Sequence, residues 1–338
     1  MSTDKKGHPH SGRSILRSTS VMSAGTLASR ILGFVRDIIF ARFFGTAASA
    51  DAFVLAFRLP NLFRDLIGEG AANSSFVPVM TEYKEKRPAE LAAFLNATFA
   101  WAVVALSVLT AAGIIFAPQV VRIIAPGFAG DPGKLELTVT LTRIMFPYLI
   151  FIGLTAFLSA LQFTYGSFGW PAFGPCLLNI VLIVSTVLSV TWLSQPLYGL
   201  AAGVLLGGVL QFYAQLRPVK RFGVQLGWPK VWAHPGSQSV GRLLLPRIVG
   251  SAVYQLNVFV DTICASLVTI VGPGGISAIY YANRIVLFPM GIFGVAIASA
   301  SLPVFSSQAL AEDKTEFKRT VMFALENVIF LMLPVAVF

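Results

Sequence analysis

Long apolar runs separated by short polar, basic or Pro/Gly-rich segments dominate the pattern of this chain. A helix needs about 20 mostly apolar residues to cross a bilayer. On that measure the pattern predicts nine spans: 20–44, 50–80 with an interruption near Pro60, 91–117, 136–164, 170–193, 198–216, 241–270, 275–308, and one that begins near 320 and is still apolar at Phe338. The second and eighth contain Gly, Pro and polar residues. Lipid offers such groups no partners, so these two spans are expected inside the protein or beside a cavity. The prolines at 147, 171, 175, 246, 289 and 303 read as kinks.

Composition agrees with a bilayer. Of 338 residues, 56% are hydrophobic and 12% charged, against about 25% charged in a soluble protein. Cys176 and Cys264 fall inside apolar runs and read as small buried hydrophobes. His8, His10 and His234 sit in polar segments without metal-ligand spacing. Residues 1–17 are polar and basic, and the apolar stretch after them is too long and too charged for a signal peptide. They are expected to form a short cytoplasmic tail. The loops carry a charge bias. Lys5, Lys6, Arg13, Arg17, Lys84, Lys86, Arg87, Arg217, Lys220, Arg221, Lys230, Arg242, Lys314, Lys318 and Arg319 fall on one side, and only Arg122 and Lys134 on the other. The positive-inside rule then puts the N-terminus of this multi-pass chain in the cytoplasm.

The segment 217–242 is the longest polar stretch and marks a boundary. Weak repeats flank it. Arg30-Ile-Leu-Gly33 is echoed by Arg247-Ile-Val-Gly250, and VRDIIFA (35–41) by FVDTICA (259–265). Ala56-Phe-Arg-Leu59 is echoed by Ala282-Asn-Arg-Ile285, and SSFVPV (74–79) by SASLPV (299–304). The matches keep one order at nearly one offset, and both copies start on the same side. That predicts parallel repeats related by an axis along the membrane normal, with substrate between them. The organisation expected is a basic tail (1–19), an N-lobe of six spans (20–216), a cytoplasmic linker (217–240) and a partial C-lobe of about three spans (241–338). The second copy is shorter than the first, which leads to the expectation of an incomplete chain.

The net charge of +10 is partly topological, but one stretch is different. Between Arg30 and Pro78 lie Arg30, Arg36, Asp37, Arg42, Asp51, Arg58, Arg64, Asp65 and Glu69. A charge at the centre of a span costs about 3 kcal/mol on insertion scales, so such groups normally face a polar interior. Two readings compete. In the first, residues seven apart share a helix face, so Arg30 with Asp37, and Asp51 with Arg58 and Asp65, form ion pairs that lock helices together. Arg42 and Arg58 fit that reading best. In the second, Arg30, Arg36, Arg64 and Arg284 bind an anionic, phosphate-bearing substrate, because the guanidinium fork matches phosphate oxygens and keeps its charge. Asp37, Asp51 and Glu69 then pair with them and exchange partners as gating or ion-coupling groups. Asn96, Gln162, Asn179, Gln255 and Asn257 read first as interhelical hydrogen bonds, and Ala125-Pro-Gly-Phe128 as a turn.

The sequence contains no Walker motif, no GxSxG and no metal-ligand cluster. It does contain a specific set of motifs: Ser29-Arg-Ile-Leu-Gly-Phe-Val-Arg-Asp37, Ala50-Asp-Ala-Phe53, Phe57-Arg-Leu-Pro-Asn-Leu-Phe-Arg64, Glu69-Gly-Ala71 and Phe76-Val-Pro78. Ala125-Pro-Gly-Phe128, Pro171-Ala-Phe-Gly-Pro175, Gly207-Gly-Val-Leu-Gln211 and Tyr280-Tyr-Ala-Asn-Arg284 extend it. Together they resemble the MurJ/MviN family of lipid II flippases, within the multidrug/oligosaccharidyl-lipid/polysaccharide exporter superfamily. The resemblance implies an all-α, two-lobed bundle of the MurJ/MATE-like type with about nine of fourteen helices present, working by alternating access. It implies a cationic cavity in which Arg30, Arg36, Arg64 and Arg284, with Asp37, Asp51 and Glu69, engage a diphosphate-linked sugar while the polyprenyl tail stays in lipid. It implies no enzyme activity and no cofactor, the drive being membrane potential or an ion gradient. The partners implied are lipid II, membrane lipids and other peptidoglycan-synthesis proteins, and no nucleic acid. One departure stands out. The usual Tyr-Ala-Asp-Arg reads Tyr-Ala-Asn-Arg here, so Asn283 removes a negative charge. The alternatives are an exporter of another polyprenyl-linked saccharide or a drug, and a membrane enzyme acting on polyprenyl diphosphates. The second would want an Asp-rich magnesium site, for which the sequence offers no cluster.

Overall fold

The computed structural model describes residues 12–67, 73–291, 301, 305, 308 and 315–337. The described elements are helical throughout, as the apolar runs require. They are α1 (Gly12–Phe44), α2 (Ala48–Ile67), α3 (Asn73–Lys86), α4 (Pro88–Ile115), α5 (Ala117–Ile124), α6 (Pro132–Met145), α7 (Tyr148–Thr164), α8 (Gly169–Trp192), α9 (Pro196–Arg221), α10 (Pro235–Ser266), α11 (Val268–Val271), α12 (Gly275–Pro289) and α13 (Thr315–Val337). Proline opens several of them, at a position whose backbone N–H would have no helical partner anyway. Segments Pro88–Ile115, Pro132–Thr164, Gly169–Trp192, Pro196–Arg221 and Pro235–Ser266 are long and apolar enough to cross a membrane.

The helices outnumber the nine expected spans because spans break into pieces. The run 136–164 is two helices, turned at Phe146 and Pro147. The run 50–80 does not break at Pro60. Helix α2 continues through it, and Asn61 Nδ2 folds back to donate to Phe57 O at 2.9 Å. The described part of α2 runs to Ile67 and α3 starts at Asn73, and Gly68-Glu69-Gly70 between them lies outside the described residues.

The N-lobe packs around α7 and α9. Tyr148, Leu149, Phe157, Leu158 and Leu161 of α7 are fully buried, against neighbours from α2, α4 and α9. Helix α8 lies between α1 and α9. In contrast, α10 turns Leu245, Val249, Val253, Leu256 and Val260 outward. Cys264 shares that exposure, so the expectation of a buried cysteine holds for Cys176 alone. The stretch between α9 and α10 is tied down onto α4. Asn96 Oδ1 accepts from Gly227 N at 2.9 Å, and Trp101 Nε1 donates to Trp232 O at 2.9 Å. His234 is buried rather than in an open polar loop. Its Nδ1 accepts from Gly236 N and its ring packs on Tyr83 and Phe94, so it caps α10.

At one end of the bundle, N-lobe and C-lobe backbones touch. Gly274 adopts φ +80°, and a Cβ there would fall 2.2 Å from Thr46 O, so both conformation and space demand glycine. Ala125-Pro-Gly-Phe128 is more than a turn. Phe128 is buried, and Gly127 lies so close to α10 that a Cβ would collide with Ser266 O. Gly127 N donates to Ser266 Oγ at 3.2 Å, and Tyr281 Oη donates to Gly45 O at 2.8 Å.

Candidate functional site

A cavity of about 1040 Å³ lies between the lobes, at the upper end of the range for ligand sites. Arg30 and Arg36 reach it from α1, Arg64 from the end of α2, and Arg284 from α12. All four arginines read from the sequence as phosphate ligands therefore meet in one space. Among the described residues lining it there is no carboxylate. The cavity runs along α1 from Arg36 toward Met22, away from the end where the lobes touch.

Behind that wall, Asp37 organises the cations. Its Oδ1 accepts from Arg36 Nε at 2.9 Å, Arg36 Nη2 at 2.8 Å and Tyr280 Oη at 2.9 Å. Arg36 Nη1 donates to Asn179 Oδ1 at 2.9 Å, and Asn179 Nδ2 donates to Ser29 O at 3.1 Å. Most of the donors of Arg36 are thus committed within the protein. Arg284 is different. Its Nε lies 2.9 Å from Asp37 Oδ2, an ion pair by distance, but no N–H is aligned on that oxygen. Its side chain remains 44% exposed, with the guanidinium over the Tyr280 ring. The Arg30 head group lies against the backbone of Gly291, on the C-lobe side. Two cations on one carboxylate leave this centre net positive on the cavity side.

Asp51 is not part of that cluster. It is 1% exposed, and every contact it makes lies at the end where the lobes touch. Oδ2 pairs with Lys134 Nζ at 2.7 Å, and Oδ1 accepts from Ser277 N at 2.8 Å and Ser277 Oγ at 2.6 Å. Ser277 stands in the first turn of α12, where free backbone N–H groups favour an anion. Lys134, read from sequence as a loop residue, belongs to α6, with its ammonium over the Phe128 ring. The expectation that Asp51 partners the cavity arginines is therefore corrected.

The same-face pairing of charges seven apart is corrected too. Seven residues advance a helix by about 10 Å, beyond ion-pair reach. Asp37 pairs with its neighbour Arg36 and with another helix, and Arg58 donates from Nη1 to Thr262 Oγ1 on α10 at 2.5 Å. Arg58 thus links α2 to α10 through a neutral hydroxyl, not through the ion pair its structural reading called for. Arg42 is exposed in the last turn of α1. Glu69 lies outside the described residues, as does the side chain of Asp65. Sequence reasoning missed Lys134, Ser277 and Tyr280 as partners. The motif Tyr280-Tyr-Ala-Asn-Arg284 marked Tyr280; nothing local marked the other two.

Comparison with known proteins places this geometry. The profile of the family described as "Lipid II flippase MurJ" matches residues 40–338. The chain is 37% identical over 330 residues to the lipid II flippase MurJ of Burkholderia cenocepacia, covering 95% of this chain and 63% of that protein. It is 36% identical over 331 residues to a probable lipid II flippase MurJ of Vibrio cholerae, covering 95% and 62%. Among solved structures it resembles a lipid II flippase MurJ in an inward closed conformation, with TM-score 0.76, 28% identity, and coverage of 92% of this chain and 62% of that one. An outward-facing multidrug transporter of the MATE family shares the fold, with TM-score 0.62 and 15% identity. The chain therefore spans less than two thirds of the length of the curated relatives it matches.

Proposed function

The chain belongs to the lipid II flippase MurJ family, and from that premise we propose that it carries lipid II from the cytoplasmic to the periplasmic leaflet by alternating access. The observation that carries this reading is the convergence of Arg30, Arg36, Arg64 and Arg284 on one inter-lobe cavity. Guanidinium groups in a site of reduced dielectric bind diphosphate oxygens through charge-assisted, often bidentate, hydrogen bonds. Arg30 and Arg284 are the primary ligands, because Arg36 spends its donors on Asp37, Tyr280 and Asn179. Arg36 holds the centre in shape, and Arg284 can leave its unaligned contact with Asp37 for a phosphate.

The contacts of Asp51 with Ser277, of Gly45 with Tyr281 and of Gly127 with Ser266 form a gate. The charge bias of the loops supports placing that gate at the periplasmic face of the inner membrane, with the N-terminus in the cytoplasm. Opening would cost Asp51 its Ser277 donors but not Lys134, which stands on the same lobe. Membrane potential or an ion gradient supplies the drive, with no bound cofactor. Other peptidoglycan-synthesis proteins are partners on this reading. A cationic drug fits poorly with four arginines.

The test is complementation of a bacterium depleted of its own lipid II flippase. The gene carrying this chain is expected to restore growth and lipid II translocation, and Arg30→Ala or Arg284→Ala to abolish both. Growth undiminished in both variants would sink the reading. Rescue of another polyprenyl-linked saccharide exporter, but not of this one, would reassign the substrate.

A further inference from the structure

The cavity has a second, uncharged face that the arginines do not explain. Gln211 and Gln215 stand one turn apart on α9, both nearly fully buried and both lining the cavity. Gln215 Oε1 accepts from Ser159 Oγ and from Gln162 Nε2, each at 3.0 Å. Those donors fix the orientation of the amide and leave its Nε2 as the end that offers hydrogen bonds. Gln211 Oε1 is buried without a partner, and so is Thr155 Oγ1 on α7, which lines the same cavity. Buried polar atoms are normally satisfied, so each marks a place where a partner is wanted. The packing makes room for this arrangement. A Cβ on Gly174 would fall 3.2 Å from the Nε2 of both glutamines, so the bare α8 backbone is what lets the two amides lie where they do.

We propose that Gln211, Gln215 and Thr155 form a neutral subsite for the sugar adjoining the diphosphate of the substrate. The inference rests on the reading that this cavity takes a diphosphate-linked saccharide. A phosphate would be served by the arginines, and a hydrocarbon tail would strand three polar groups. Sugar hydroxyls and an N-acetyl amide both donate and accept, which is what the set offers. Gln211 Oε1 accepts, Gln215 Nε2 donates, and Thr155 Oγ1 does either. Ser159 and Gln162 act through Gln215 and are positioning residues.

The test measures binding of three probes to the purified chain in lipid nanodiscs: undecaprenyl diphosphate, the same lipid carrying one N-acetylhexosamine, and lipid II. Gln211→Leu and, independently, Gly174→Ala are expected to weaken both sugar-bearing probes about tenfold and to leave undecaprenyl diphosphate unchanged. The two substitutions lie on different helices, so misfolding of one leaves the other to decide. Equal losses for all three probes in both variants, or no loss for any, overturn the subsite. A loss confined to lipid II overturns its assignment to the sugar and points to the peptide instead. A wild-type chain that binds none of the three overturns the diphosphate reading itself, and this inference with it.

Discussion

Two buried aspartates, Asp37 and Asp51, stand on adjacent N-lobe helices and both reach α12, yet their partners are of opposite kinds. Asp51 is saturated. Lys134 takes one oxygen, and the backbone and hydroxyl of Ser277 take the other. Its surroundings are the backbone contacts of a closed interface. Asp37 is supplied with more cation than it needs, and Arg284 beside it is half exposed and unaligned. A carboxylate whose partners are all fixed holds an interface shut. A carboxylate sharing its charge between a fixed and a loose arginine keeps the loose one available. On the proposed function the difference is that between a latch and a binding centre, although in sequence both read as acids among arginines.

The sharpest way to break this comparison is Arg36→Ala. It removes four hydrogen bonds and leaves the buried Asp37 carboxylate with only the Tyr280 hydroxyl and the unaligned Arg284. Loss of one partner of a buried ion pair costs about 3–5 kcal/mol, read as a lowered unfolding temperature in detergent together with loss of complementation. Asp51→Asn comes next. It keeps the shape, strands the Lys134 ammonium and weakens charge-assisted hydrogen bonds by about 1.5–3 kcal/mol. With native cysteines replaced by serine, spin labels at Thr46 and Ile270 are expected to show a wider distance distribution. An unchanged distribution would mean that Asp51 is no latch. Ser277→Ala is milder at about 1 kcal/mol, because the backbone N–H remains. It should shift the same distribution part of the way while leaving binding of undecaprenyl diphosphate intact. Arg42→Ala, exposed at the end of α1, belongs to neither centre and is expected to change stability by less than about 0.5 kcal/mol, with normal complementation.

Much of the fold was legible because lipid leaves a chain few options. Long apolar runs with no water to satisfy their backbone must be helices, and α4, α8, α9 and α10 sit where the runs are. Breaks were harder. Pro60 looked like a breaker, but α2 runs through it, while Phe146-Pro147 divides a run that hydropathy reads as one. The candidate site was legible as a set of arginines, since an unfavourable charge in a span needs a reason. Their division of labour was not. Nothing in the order of residues says that Arg36 turns toward Asn179, which is far away in the chain, or that Gly174 clears space for two amides of α9.

What the sequence determined by itself was the medium, the helical class and the chemical type of the site. Hydropathy, backbone hydrogen bonding and the permanence of the guanidinium charge act residue by residue. What only the tertiary structure decided was pairing. Asp51 found Lys134 and the first turn of α12, Asp37 found Arg284 and Tyr280, and Gln211 was left at the cavity wall with a buried, unspent oxygen. Hydrogen bonds and ion pairs act over about 3 Å, and only packing of distant helices brings such groups within that reach.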